Sequence, residues 1–308
     1  MLMSELKARL ECALGQRIVN ITRRSGGYSL ALRLRLELAD GRFVFAKVAT
    51  TEPTARWLRR EVVVYEALGS QNFLAEFLGW ADDSTEPFLL LEDLSEAHWP
   101  PPWTPARVDA VLAALAEVRR APLPPETPQL EAERAILTRW AGIAADPEPF
   151  LSLGLCTATW LEQALSALLD AEKGLVLEGT DFLHVDVRSD NLCFIGERAV
   201  IVDWNWSSVG NGAADIACWL PSLNSEGGPL PETILPAATP WAAALAGFFG
   251  SMAGLPPPEG APTVRTVQRT QLESALPWAA RALGLTPIEI GVCNGFVPQP
   301  QSPCRAGD

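Results

Sequence analysis

The sequence predicts an α+β chain of two lobes, a small, mainly antiparallel β-sheet carrying one helix and then a larger, mostly helical part. Three observations predict it. Its 308 residues exceed what one hydrophobic core comfortably organises. Alternating apolar residues dominate up to Asp93, whereas helical spacing dominates beyond it, apart from a β-rich island at 181–206. A content of 48% apolar against 20% charged residues supplies the burial that a folded chain needs and excludes a disordered one.

Each element follows in order. The opening MLMSELKARLECALGQ places Leu2, Leu6 and Leu10 on one helical face with charges between them, an amphipathic helix rather than a secretory leader. Residues 17–24 read as a strand, and Ser25-Gly26-Gly27 as a tight turn. From Tyr28 to Leu38 five leucines (Leu30, Leu32, Leu34, Leu36 and Leu38) share one face, while Arg33, Arg35 and Glu37 share the other. That alternation is a half-buried antiparallel strand. Asp40-Gly41 turns the chain into its partner at 42–50. Pro53 opens a helix over 55–68 that Gly69 closes, and apolar segments at 77–80 and 88–91 complete a lobe at 1–93.

A Pro-rich connection, His98-Trp99-Pro100-Pro101-Pro102-Trp103, marks a hinge and linker at 94–104. Helical periodicity then predicts helices at 105–121, 131–145, 159–171, 213–223, 241–252 and 264–283. Pro277 predicts a kink or break in the last of these. The helical lobe therefore covers 105–285, and 286–308 reads as a loosely held tail.

Charge and composition exclude several functions. The 24 basic and 37 acidic residues give a net charge of −13, which argues against a nucleic-acid partner held by phosphate contacts. Two histidines argue against a His-based zinc centre. The six cysteines are scattered without a CxxC pair and, with no leader, read as thiols in a reducing cytoplasm. The run from Trp241 to Leu255 is shorter than the ~20 residues of a bilayer span, so no membrane partner is expected. Residues 1–93 carry a charge of −1 and residues 94–308 carry −12. That excess reads either as a solubilising surface or as a surface that receives a cationic small molecule.

The β-rich island carries the chemistry. It runs His184-Val185-Asp186-Val187-Arg188-Ser189-Asp190-Asn191, then an apolar strand, a Gly196-Glu197-Arg198 turn, and Ala199-Val200-Ile201-Val202-Asp203-Trp204. A hairpin here brings the Asn191 amide and the Asp203 carboxylate together. Oxygen donors of this kind suit Mg²⁺, which is commonly held by one or two side chains plus phosphate oxygens. Asp186 sits on the same loop and is free to accept a proton.

This pattern, His-x-Asp-x-x-x-x-Asn followed by an apolar hairpin and Asp, resembles the catalytic and metal-binding loops of the protein-kinase-like superfamily. Val202-Asp203-Trp204 in place of Asp-Phe-Gly, with Asp215-Ile216-Ala217 downstream, is similar to its aminoglycoside phosphotransferase and choline kinase branch. The resemblance covers roughly 15–285 and implies a bilobal protein-kinase-like fold. It also implies Mg²⁺-dependent transfer of a γ-phosphoryl group from ATP or GTP to an alcohol.

Residue by residue, the resemblance implies Asp186 as the catalytic base and Asn191 and Asp203 as metal ligands. His184 matches a structural histidine. Arg188 either neutralises charge on the transferring group or braces the loop against Asp190. Lys47 stands among only three lysines against 21 arginines, inside an apolar strand. It matches the nucleotide-binding lysine, the alternative being an edge-strand lysine that points to water. Its expected partner is Glu61, with Glu66 the runner-up. Backbone near Glu92 and Leu94 is expected to bind the adenine edge, with the Glu92 and Asp93 carboxylates solvated. Ser25 and Gly27 are expected to cover the phosphates, although no GxGxxG is present. Val185 stands where many phosphotransferases have glycine. Asp190, Asn205, Trp206 and Glu226 are candidates for an acceptor such as an amino sugar or amino alcohol, while the aromatic residues also read as core.

The competing class is a non-catalytic nucleotide-binding protein or scaffold on the same fold. It is disfavoured because lysine, aspartate and metal ligands all survive. No Walker A motif and no GxSxG context support a P-loop enzyme or a hydrolase.

Overall fold

Leu6 and Leu10 of helix α1 (Met3–Leu14) are buried against one face of a five-stranded sheet. Strands β1 (Ile18–Arg23), β2 (Leu32–Leu38), β3 (Phe43–Val48), β4 (Phe77–Ala81) and β5 (Phe88–Glu92) run in the order β1-β2-β3-β5-β4. Every neighbouring pair is antiparallel. The molecule is known from a computed structural model that describes residues 3–27, 29–82, 86–259 and 261–288. Tyr28, Cys293, Cys304 and most of the predicted tail lie outside the described residues.

Period-two alternation decides what each face holds. Leu34, Leu36, Leu38, Val44, Ala46, Val48, Phe88 and Leu90 pack beneath α1. Arg33, Phe45 and Lys47 therefore point to the other face, toward the second lobe. β2 starts later than the leucine spacing predicts, and Leu30 is 54% exposed. The Arg33 guanidinium explains the late start, because it draws the Ser29 and Ala31 carbonyls at 3.4 and 3.1 Å out of sheet pairing.

Helix α2 (Glu52–Leu68) begins at Thr51, whose side chain and that of Thr54 cap one another's backbone N–H groups. It stops at Gly69, where φ is 61°. Leu58, Glu61, Tyr65 and Leu68 fall on its buried face at helical spacing, which brings a carboxylate into the core.

The second lobe is built on α3 (Pro105–Val118), α4 (Arg134–Leu137), α5 (Trp140–Ala145), α6 (Glu148–Leu151), α7 (Ala158–Lys173), α8 (Ala213–Ser225), α9 (Pro231–Ile234), α10 (Thr239–Ala253) and α11 (Val264–Ala282). The helix predicted at 131–145 is broken. The buried Glu172 carboxylate accepts the Arg139 N–H at 2.6 Å and the Trp140 N–H at 3.3 Å, restarting the chain as α5. Pro277 does not interrupt α11, because the buried Leu276, Trp278 and Ala279 hold the helix in the core on both sides of it. Among the described residues no helix is long and apolar enough to cross a membrane.

Between α7 and α8 lie β6 (Asp181–Leu183), β7 (Leu192–Ile195), β8 (Arg198–Ile201) and β9 (Ser208–Gly210). β6 pairs with β9, a strand the sequence pattern does not announce, and β7 pairs with β8. Trp204 fastens this unit. Its ring lies 5.8 Å from Phe182, 4.6 Å from His184 and 5.7 Å from Phe73, and its indole N–H donates to the Ile201 carbonyl at 3.0 Å. Phe73 belongs to the first lobe, and its carbonyl accepts the Ile201 N–H at 2.8 Å. The sheet lobe is thereby fixed to the hairpin. Trp204→Ala is expected to lower unfolding free energy by about 3–5 kcal/mol, read from the urea midpoint; an unchanged midpoint would show that Trp204 is not the anchor.

Candidate active site

Lys47 lies on β3, the middle strand of the sheet, so it is no edge lysine facing water. Its Nζ lies 2.6 Å from Glu61 Oε2 and 2.7 Å from Asp203 Oδ1. Burial works against the ammonium, but Asp203 and Glu61 outweigh it and hold the lysine pKa above its ordinary value. Burial likewise pushes the Asp203 carboxyl up, and Lys47 reverses this, holding it below the usual aspartate range. Glu66 falls on another face of α2, where its Oε1 accepts the Trp80 indole N–H at 3.0 Å.

The loop between β6 and β7 is shaped by Asp215. Its buried carboxylate accepts the His184 N–H at 2.9 Å and the Val185 N–H at 2.7 Å. These bonds hold Val185 at φ 70°, a left-handed conformation costly for a β-branched residue. The position asks for glycine and carries valine. His184 accepts the Asp186 N–H at Nδ1, at 3.2 Å. Its Nε2 lies 3.0 Å from the Val202 carbonyl, so that nitrogen carries the proton. Burial lowers the imidazole pKa, in keeping with a neutral ring.

One backbone bond brings the hairpin ends together, the Val202 N–H donating to the Asn191 carbonyl at 3.0 Å. The Asn191 amide N–H₂ donates to the Asp186 carbonyl at 2.8 Å and to its Oδ2 at 3.1 Å. Asp186 is pushed up to about 6, chiefly by burial and against the pull of Arg188. Arg188 Nε lies 3.0 Å from Asp186 Oδ1 and 3.5 Å from Asp190 Oδ1, so the geometry of a loop brace is present.

Two cavities meet at Lys47 and Asp203, which line both. The first, of about 590 Å³, opens between the lobes and is bordered by Ser25, Gly27, Arg33, Leu94 and Asn191. The second, of about 400 Å³, is bordered by Asp186, Arg188, Asn205 and Trp206. Asp190 and Glu226, expected with the acceptor, instead line the first cavity. Glu226 Oε2 accepts the Ser189 hydroxyl and, at 2.8 Å, the Trp103 indole N–H, which turn it away from the second.

The hinge carboxylates both have protein partners, and the Asp93 side chain is buried while that of Glu92 keeps partial access to solvent. Glu92 accepts from the Glu76 N–H at 3.0 Å and Arg198 at 3.3 Å, while Asp93 pairs with Arg35 at 2.7 Å. The Leu94 carbonyl is taken by the Ala97 N–H and the Trp99 indole N–H, each at 3.1 Å. Sequence reasoning missed Arg33, which lies directly across from Lys47 on β2 and whose guanidinium fills the space a Cβ at Gly27 would need. The strand alternation was its available signal. Asp215 enters the sequence pattern only as part of the downstream Asp215-Ile216-Ala217 motif, without this bonding role.

The donor set suits a hard divalent cation. One ammonium serves two carboxylates at Lys47, which leaves surplus negative charge, and Asn191 adds an amide oxygen to the same cavity. Among the described residues no group of three His, Cys, Asp or Glu side chains forms a self-sufficient metal centre. An ion held by Asn191 and Asp203 therefore needs further oxygens from a ligand such as a polyphosphate.

The model of the phosphotransferase enzyme family matches residues 20–239. The chain belongs to this family. Three solved structures share the bilobal protein-kinase-like fold of this phosphotransferase. One is a spectinomycin phosphotransferase in complex with ADP and spectinomycin, with TM-score 0.64, 10% identity, and coverage of 92% of this chain and 99% of the other. The second is an aminoglycoside phosphotransferase from Alicyclobacillus acidocaldarius, at 0.55, 15%, 89% and 94%. The third is a choline kinase from Streptococcus pneumoniae, at 0.59, 13%, 91% and 98%. No curated protein matches the sequence. The chain is a phosphotransferase.

Asp215→Ala leaves two buried N–H groups unpaired, at about 1–3 kcal/mol each. The phosphotransferase variant is expected to melt earlier and to lose turnover along with the loop conformation. Hydrogen exchange at Val185 no faster than in the parent would contradict this.

Proposed function

We propose that the protein transfers the γ-phosphoryl group of ATP or GTP to a hydroxyl of a small molecule, in a Mg²⁺-dependent reaction with Asp186 as base. The observation that carries this reading is the meeting of the two cavities at Lys47 and Asp203. A nucleotide in the first cavity, its base edge at the Leu94 N–H, would direct its phosphates toward Lys47, Arg33 and the Ser25–Gly27 turn. An acceptor in the second would present its hydroxyl to Asp186. Mg²⁺ bound by Asn191 and Asp203 would supply charge neutralisation on the phosphate oxygens.

The chain's own residues account for the remainder. Lys47, fixed by Glu61, holds phosphate as a point charge. Asp186, oriented by the Asn191 amide and Arg188, accepts the hydroxyl proton as the acceptor oxygen bonds to the γ-phosphorus. The bond from that phosphorus to the β,γ-bridging oxygen breaks, and the nucleoside diphosphate leaves with its electron pair. Positioning and charge placement contribute most of the acceleration in such transfers. Arg188, paired with Asp186, would neutralise charge on the transferring group as it develops.

Asp186→Asn keeps the shape of the side chain and removes the base. Turnover is expected to fall by about 10²–10⁴-fold, the usual worth of general base catalysis, with nucleotide affinity within a few-fold of the parent. ADP release measured with and without chelator separates a kinase from a non-catalytic binder. Parent-like turnover in Asp186→Asn, or turnover indifferent to chelation of Mg²⁺, would defeat the mechanism.

A further inference from the structure

The second cavity has a composition that the proposed reaction does not itself require. Its walls are largely apolar, with Trp57 from α2, Trp206 after the hairpin, Leu245, Phe248 and Phe249 from α10, and Val267 from α11. Trp206 and Ile136, at 40% and 48% exposure, keep the lining apolar where it reaches solvent. At about 400 Å³ the cavity falls in the range of small-molecule sites, ~300–1,000 Å³.

Its charges are few and mostly engaged. Asp203 is paired with Lys47, and Asp186 with Arg188. Glu133 is the remaining carboxylate among the described lining residues. An acceptor bearing several ammonium groups would bury them against aromatic walls with a single free counter-charge, an unfavourable transfer for each group left over.

Two buried amides give the cavity a second property. Asn205 is 9% exposed and Gln271, on α11, is 5% exposed. Neither the Asn205 Oδ1 nor the Gln271 Oε1 has a hydrogen-bond partner among the described residues, yet both side chains line the cavity. Buried acceptors left unpaired are costly, and a ligand carrying N–H or O–H donors relieves that cost.

We infer that the acceptor is a compact amphipathic alcohol, with an aromatic or alicyclic body, at most one positive charge, and a neutral N–H or second O–H that bonds Gln271 and Asn205. This rests on the kinase reading and narrows it. Polycationic amino sugars are excluded by the same walls that admit such an alcohol.

Calorimetric titration of the full chain tests this with five probes and one control alcohol, 3-phenyl-1-propanol. N-acetylphenylalaninol and chloramphenicol are neutral aromatic alcohols with an amide N–H, whereas kanamycin is polycationic, choline a compact cation and glucose polar and neutral. The first two are expected to bind at least about 10-fold more tightly than the other three. On the parent protein, N-acetylphenylalaninol is expected to outbind 3-phenyl-1-propanol, which lacks the N–H, and Gln271→Leu is expected to erase most of that difference. Because this comparison begins on the parent, it holds even where the variant folds poorly. Tighter binding of kanamycin, choline or glucose, or equal binding of the two phenyl alcohols to the parent, would overturn the inference. ATP titrated on the same samples separates the failures: intact nucleotide binding with kanamycin preferred removes only the acceptor class, whereas absent nucleotide binding removes the kinase reading and this inference with it.

Discussion

A buried ammonium shared by two carboxylates constrains everything else in this protein. Lys47 is 8% exposed, and an isolated charge at such depth would neutralise or force the lobe to rearrange. Glu61 balances this charge from α2 and Asp203 from the far side of the cleft, so one ammonium ties the two lobes together. The arrangement gains little stability for its own sake, since burying three charges offsets much of their attraction. Its consequence is positional. Sheet, helix and hairpin are locked to one point, and the surplus negative charge there is what a divalent ion and its phosphate ligand can use.

The loop that carries Asp186 is held by different means. Asp215 accepts two successive N–H groups, and His184 ties the Asp186 N–H to the Val202 carbonyl through one neutral ring. Val185 and Asp203 both take φ 70°, and both flank the residues that face the cleft. Positive φ at non-glycine residues persists where the surroundings over-determine it, and such positions gather at sites where geometry matters. The strain at Val185 is thus opposed by hydrogen bonds that close on the candidate base.

What was legible in the sequence follows from how local each signal is. The β2–β3 hairpin rests on period-two spacing and the Asn191–Asp203 convergence on a short hairpin, both local signals, whereas the partner of Lys47 is implied by the family resemblance. Glu61 stands ahead of Glu66 in sequence only because Glu66 lies nearer the C-terminal end of the helix; that Glu61 alone of the two falls on the buried face is seen in the structure. The failures are non-local. The break before α5 depends on Glu172, on a helix well downstream, capturing two N–H groups. Pro277 sits in an unbroken helix because the core supports both sides of it. The placement of Glu226 beside the first cavity, bonded by Ser189 and Trp103, is a contact no spacing rule foretells rather than a failure of prediction. Arg33 was half legible, since its face was evident but its register opposite Lys47 was not.

The uneven charge along the chain also finds its place. Residues 94–308 carry nearly all of the acidic excess, which is open in sequence to a cation-receiving surface. The second cavity receives almost none of it. Its one carboxylate outside the two ion-paired clusters is Glu133 among the described residues, and its remaining polar groups are mainly uncharged amides. Acidic side chains elsewhere on this lobe, such as Glu232 with Arg281 and Asp170 with Lys173, lie in exposed pairs of small energetic weight. Exposed pairs of this kind fit the solubilising reading of the charge, and on the inference drawn above selectivity in the second cavity would rest on shape, aromatic contact and the two amides. Under the proposed mechanism, such an arrangement would keep the electrostatics at the junction of the cavities, where phosphate charge would develop, and would leave the proposed acceptor side a low-dielectric wall that strengthens the few polar contacts made there.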